Sequence, residues 1–595
     1  MSTPTSIRLA PPEVEGRTVR FRWSVTPEPS LYRATSFTLT YPESVDVAAV
    51  PEAVWWRVAL CCLHSQWVLL RPCRVVLPVR LPPGEAEAWL RLCDAQQATL
   101  EGNAGGDDDR RAIELIEAGP ELTEGVPPRP DGPAVACFSG GRDSLVQAAL
   151  LVELGSPPAL VTVSAAREGS VEHDHPRRTR ALRAIQERRS LELIEVTSDL
   201  RMCFRNDAAV ERYGVGVTEL VDTFLYFGAA LGVAAARGAP TVFLASEAEV
   251  QDNARNGGMI IQHRHAMYSG VAQRALSAIL APAGFSYDGL TASLRQFHVQ
   301  RLLSERYVDL RDLQFSCWSQ TREQAACSAC SECRGIALNL LADDVDPATA
   351  GIDLATLLPA QEAWRPRVDE FGSVRNVGRR ASDLHTVRRL AGLEPARIEA
   401  ALAVQGAPAP AQKEALTAYT RLRTAALELV PEPGPEPGYR TGFLALQPAS
   451  RRAVLERIIA EHVAPEPEEE HEEVLARANA LVDWITAPLG RRSRVPAAPG
   501  VPSAERPVRP RPPDPAPPTE AELAGYRHLI PGREPVLAAP AGRRVLRVAE
   551  TLLDGNERAY VDECIDGNWI SSAGSFVGRF EQAFAQASGC AYGVA

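Results

Sequence analysis

The sequence predicts an α/β protein organised around a doubly wound parallel sheet, on three observations. Four short apolar runs, AVACF (134–138), ALVTVS (159–164), LELIEV (191–196) and TVFLAS (241–246), recur through residues 131–345. Segments of helix length separate them, notably 144–154 and 218–237, the alternation that crossover helices between parallel strands produce. The first run ends in a Ser-Gly-Gly turn that opens directly into an amphipathic stretch. In such sheets the ligand sits in the crevice at the carboxyl ends of the strands.

The remaining elements follow in chain order. At about 100–200 residues per domain, 595 residues require several domains, and 48 prolines with 42 glycines imply long irregular connectors. Residues 1–130 read as a small α+β N-terminal domain: Val19, Phe21 and Trp23, then Phe37, Leu39 and Tyr41, alternate as half-buried strands do. Helices are predicted at 53–66 and 85–100, with a strand-like CRVVLPVRL between them and a surface loop at 101–111. Residues 346–490 are Ala-, Leu- and Arg-rich and read as a helical accessory region. Residues 491–535 form a linker, because ten prolines within 496–518 leave an extended chain with no core.

Charge and cysteine usage narrow the class. With 63 Lys+Arg against 75 Asp+Glu, the net charge of -12 gives no footprint for bulk nucleic-acid binding and favours a small-molecule substrate. Met1 is followed by polar residues, and the most apolar window, 53–70, is interrupted by Arg57, His64 and Gln66, so neither a signal peptide nor a membrane span is expected. Eight of the twelve cysteines are scattered and four are clustered, which suits a reducing cytoplasm and one metal site.

The segment Ser139-Gly140-Gly141-Arg142-Asp143-Ser144 carries the chemistry. Glycines let backbone N–H groups approach an anion, and a helix N-terminus adds partial positive charge. Ser139 and Ser144 offer hydroxyls, and Asp143 is placed to bind Mg²⁺. The segment resembles the SGGxDS loop of the PP-loop ATP pyrophosphatases, whose fold is adenine nucleotide alpha-hydrolase-like. That resemblance implies that residues 139–144 hold the pyrophosphate of ATP while a substrate attacks the α-phosphate. It also implies Ser164 near the adenine, and Ser246 and Glu247 facing the same crevice. A polar stretch then supplies Asn253, Arg255, Gln262, His263, Arg264 and His265, of which Arg264 is a candidate for balancing phosphate or carboxylate charge.

Cys317, Cys327, Cys330 and Cys333 follow as C-x9-C-x2-C-x2-C. Four thiolates at this spacing satisfy tetrahedral Zn²⁺ with no position left for water, a structural site, although an iron–sulfur cluster uses the same ligands. A phosphate loop followed by such a cluster resembles the cyanodeazaguanine synthases. It resembles still more the ATP-dependent epimerases acting on UDP-N-acetylmuramoyl-L-alanyl-L-glutamate. Both imply activation of a carboxylate as an acyl adenylate, with AMP and PPi as products. An RNA-modifying enzyme and a non-catalytic nucleotide-binding scaffold are the alternatives.

The last residues, 536–595, change character. Gly567-Asn568-Trp569-Ile570-Ser571-Ser572 precedes a helical stretch and resembles the opening of the DegT/DnrJ/EryC1/StrS aminotransferases. Such enzymes take pyridoxal phosphate on a lysine well downstream and pair as homodimers. The chain stops at Ala595, about 55 residues into the resemblance, so a complete aminotransferase is not contained and a longer two-enzyme chain is expected.

Overall fold

The computed structural model describes residues 5–27, 31–70, 72–104, 113–165, 176–205, 217–248, 254–256, 259–261, 267, 270–314, 316, 326–360, 367–368, 374–375, 388–429, 436, 438–444 and 447–466. All belong to the first of two compact units, Met1–Ala498; the Pro-rich and aminotransferase-like residues lie outside the described residues.

Five parallel strands form the centre: β7 (Ala134–Cys137), β8 (Pro158–Ala165), β9 (Leu193–Ser198), β10 (Thr241–Phe243) and β11 (Ser286–Asp288). Their order is β11-β10-β7-β8-β9, so the chain winds outward from β7 to β9 and then returns to the other side of β7. Side-chain alternation explains why these runs are almost continuously apolar. Val135, Cys137, Val161 and Val163 enter one core, whereas Ala134, Ala136 and Leu160 enter another on the opposite face.

The first core is covered by α1 (Glu52–Trp67), α2 (Glu85–Ala104), α5 (Val217–Arg237) and α6 (Gly270–Leu280). The second is covered by α3 (Arg142–Glu153), α4 (Pro176–Arg189), α7 (Gln296–Glu305) and α12 (Ala449–Ala460). Both α1 and α5 are long and apolar enough to cross a membrane by length and composition, yet they pack on one another inside the fold. Their approach is so close that a Cβ on Gly232 would lie 2.5 Å from Tyr41 Oη and 2.9 Å from a Trp55 ring carbon.

The N-terminal residues add strands to the same sheet. The strands β1 (Thr5–Leu9), β2 (Glu13–Glu15), β3 (Thr18–Thr26), β4 (Ser36–Thr40), β5 (Cys73–Leu77) and β6 (Ile113–Glu117) extend it, with β4 pairing antiparallel to β9 through Leu39 opposite Ser198. The result, among the described residues, is a mostly parallel mixed sheet of eleven strands.

A third core begins at α8 (Ser331–Ala342). Ile336, Leu340 and Leu341 pack with Leu354 and Leu357 of α9 (Leu354–Ala360), Leu402 of α10 (Pro395–Val404) and Tyr419 and Leu422 of α11 (Ala409–Leu429). The helix that follows the cysteines thus shares its core with the helical region. Arg301 of α7 ties this core to the sheet, its Nη2 lying 2.8 Å from Asp343 and its Nη1 2.6 Å from Glu436.

Candidate functional site

The chain reverses direction across the sheet between β7 and β10, and their carboxyl ends flank the switch point where open α/β sheets bind ligands. Residues 139–144 leave β7 there, and Ser246 and Glu247 follow β10. The two glycines have different roles. Gly140 sits at φ +83°, a left-handed conformation that a side chain resists, while Gly141 has φ -72° and stands at the N-cap of α3 with no side-chain cap. Backbone N–H groups at the start of α3 therefore face the crevice end of the helix, the arrangement that receives anions.

The hydroxyls are engaged locally. Ser144 Oγ donates to Gly141 O at 2.9 Å, and Ser139 Oγ accepts from Gly141 N–H at 3.3 Å. Ser139 is exposed at the crevice, Ser144 is buried, and Asp143 is half-buried. At the end of β8, Ser164 Oγ donates to Glu195 on β9.

Arg142 organises the site. Its side chain is buried, with Nε 3.4 Å from Asp143 Oδ1 and Nη2 3.5 Å from Glu247 Oε2. Burial alone would lower its pKa, but the charges of Asp143, Glu247 and Glu332 outweigh burial and hold the pKa above the ordinary arginine value. Glu247 also accepts from Gln296 Nε2 at 3.2 Å, and Ser246 N–H donates to Thr291 Oγ1 at 3.2 Å. Arg142 N–H donates to Ser316 Oγ at 3.3 Å.

The structure thus brings together Ser139, Gly140, Gly141, Arg142, Asp143, Ser144 and Glu247. Arg264 and Cys317, with Asn253, Gln262, His263 and His265, lie outside the described residues. Ser316, Gln296 and Glu332 were not singled out from the sequence. Ser316 directly precedes Cys317 and Glu332 lies between Cys330 and Cys333, so their place beside a ligand motif was the available signal.

The Sγ atoms of Cys327, Cys330 and Cys333 all lie within 4.8 Å of one another and could hold a metal ion. Cys327 Sγ and Cys333 Sγ are 3.8 Å apart, the edge of a tetrahedron whose thiolates stand about 2.3 Å from a zinc ion. Cys330 N–H donates to Cys327 Sγ at 3.3 Å and Cys333 N–H to Cys330 Sγ at 3.5 Å, so the backbone of the turn orients two of the three sulfurs. The chemistry and spacing of these three thiols fit a metal ion.

Fold and site together define an α/β protein with a mostly parallel sheet and a glycine turn at its switch point. The chain shows short local similarity to GDP-perosamine synthases. One, from Caulobacter vibrioides, is 52% identical over 50 residues, covering 8% of this chain and 14% of that protein. Another, from Vibrio cholerae, is 50% identical over 42 residues, covering 7% of this chain and 11% of that protein. The chain therefore spans only a small part of the curated relatives it matches. No family model matches the chain, and no solved structure matches it significantly.

Proposed function

We propose that residues 131–345 form an ATP-dependent adenylating centre of the PP-loop type that activates a carboxylate of a small biosynthetic intermediate, releasing AMP and PPi. The observation that carries the reading is the position of the 139–144 turn: it leaves β7 at the switch point and faces Glu247 across it. In this reading the backbone N–H groups of Gly141 and Arg142 exchange their 3.3 Å contacts with Ser139 and Ser316 for the pyrophosphate portion of ATP, and the Asp143 carboxylate would hold Mg²⁺, which supplies charge neutralisation on the phosphates. A substrate carboxylate oxygen forms a bond to the α-phosphorus as the bond from that phosphorus to the bridging oxygen of the β-phosphate breaks, and pyrophosphate leaves with the electron pair. AMP is a far better leaving group than oxide, so the acyl adenylate is open both to amine attack and to loss of the adjacent C–H proton. The thiolate cluster would hold Zn²⁺ as a structural ion.

Full-length protein incubated with ATP, Mg²⁺ and panels of amino acids, peptides, nucleotide-linked peptides and deazapurine acids tests this. Acid-dependent AMP and PPi in equal amounts is the expected result; ADP in place of AMP, or ATP binding with no turnover as in a scaffold, overturns it. Asp143→Asn removes turnover while leaving the circular dichroism spectrum unchanged.

A second reading concerns the chain's other part. The local similarity to GDP-perosamine synthases supports reading residues 536–595 as the opening segment of a pyridoxal-phosphate aminotransferase.

A further inference from the structure

We propose that Arg451 is a positioning residue for the crevice, and that residues 438–444 and 447–460 form a strap that sets the place of Glu247 through residues 288–294. The inference rests on the reading of the crevice as a nucleotide site. Residues 244–247, which include Ser246 and Glu247, form neither strand nor helix, so their place depends on what their backbone bonds to. Leu244 N–H donates to Asp288 O at 2.9 Å, Ser246 N–H to Thr291 Oγ1 at 3.2 Å and Ala248 N–H to Leu294 O at 2.8 Å. These acceptors all lie on the stretch that leaves the carboxyl end of β11. The two backbones also meet closely: a Cβ on Gly289 would stand 2.8 Å from Leu244 O and 3.2 Å from Ser246 Oγ. A shift of 288–294 therefore carries the Glu247 segment with it, and Glu247 in turn lies 3.5 Å from the buried Arg142 guanidinium.

The strap grips 288–294 from the other side. Arg440 N–H donates to Ser293 O at 2.9 Å, and Arg295 Nε donates to Gly438 O at 3.4 Å. The Asp288 carboxylate accepts from Gln447 Nε2 on Oδ1 and from Arg451 Nη1 on Oδ2, the latter at 2.6 Å. The Arg451 guanidinium also lies over Phe243, the last residue of β10, 5.1 Å from the ring centroid, so it touches the ends of both β10 and β11. It projects from the first turn of α12, whose Leu455, Ile458 and Ile459 are buried in the second core and give it a fixed base. The far end of α12 is held separately: Arg306 bridges Glu153, the last residue of α3, and Glu461, just past α12. Loss of Arg306 loosens the helix there and leaves the Asp288 pair in place.

That separation supplies the control. Hydrogen exchange read by mass spectrometry is compared on the full chain as wild type, Arg451→Met and Arg306→Met, with urea unfolding recording the stability each variant loses. Arg451→Met should speed exchange at the Leu244, Ser246 and Ala248 amides at least about tenfold, the equivalent of one charge-assisted hydrogen bond. Arg306→Met should change it by under about twofold, although it too weakens the seat of α12. Arg451→Lys keeps a cation on the strap and should recover part of the protection; it carries the same comparison if Arg451→Met does not fold. Calorimetry with Mg·ATP on the same chains should show affinity about 2- to 30-fold weaker in R451M, the range for residues that act on a ligand at a distance, and unchanged in R306M. Equal effects of the two variants on exchange and binding reduce Arg451 to a stability contact and overturn the proposal, as does full protection of 244–248 in R451M. Failure of the wild type to bind Mg·ATP overturns the nucleotide reading and leaves the strap to stand or fall on the exchange data.

Discussion

Lowering the pH from 7.5 to 5 should destabilise the first core through a single residue, His64. Its imidazole lies in the interior of α1, with Nδ1 2.9 Å from Leu60 O and 3.1 Å from Cys61 O, so the proton sits on Nδ1. Phe224 meets the ring edge-on at 4.3 Å between centroids, Trp89 packs at 5.4 Å, and Nε2 has no hydrogen-bond partner among the described residues. A second proton would be buried there without an acceptor. Burial accordingly pushes the pKa down to about 4, the backbone carbonyls opposing only part of the shift. The unfolded value is about 6.5. The folded pKa is depressed, so this contribution is fully present above pH 6.5 and is lost as the pH falls from there through 4. Between pH 7.5 and pH 5 the loss is about 2 kcal/mol. Urea unfolding followed by the fluorescence of the buried tryptophans, in wild type and His64→Gln, isolates it, because other titrating groups cancel in the difference. The variant should start less stable at pH 7.5, and the gap should close by about 2 kcal/mol at pH 5. A gap that stays constant with pH refutes the assignment.

Two further predictions concern the site. Gly140→Ala forces a Cβ onto a left-handed residue at a cost of about 1–2 kcal/mol, or moves the turn. ATP binding measured by calorimetry should fall at least about tenfold, with a similar circular dichroism spectrum. Glu247→Gln leaves the buried Arg142 short of one carboxylate, and Arg142→Met removes the charge that needs it. The double variant should be more stable in urea than the sum of the single changes predicts, by about 1–3 kcal/mol, and strict additivity would show that the pair is not coupled.

How much of this was legible depends on whether the determining contacts are local. The strands over Val19–Trp23 and Phe37–Tyr41 follow from alternation alone, because one face of β3 and β4 is buried and the other is not. Helices α3 and α5 follow from apolar periodicity set against the runs that flank them. The join of β4 to β9 does not, since Leu39 and Ser198 are distant in sequence and nothing in either strand names its partner. The expectation of a separate α+β unit arose there; the residues that form it pack into one core with α5 and α6. At the site, the turn and the cysteines carry their chemistry in their spacing. Arg142 does not: at an open position of the motif it reads as a phosphate ligand, and only the fold shows that its guanidinium is turned inward to Asp143 and Glu247.

Arg142 also explains why these elements meet at one point. Phe138, immediately before the turn, belongs to the second core with α3, which starts at Arg142. Glu247 follows β10, whose Val242 and Phe243 divide between the first and second cores. Glu332 stands on α8, where the third core begins. A displacement of any one core relative to the others changes the carboxylates around a single buried cation, and a buried charge tolerates loss of a partner poorly. The guanidinium therefore favours one mutual arrangement of sheet, turn and cysteine helix, the arrangement in which the N–H groups of the turn open onto the switch point.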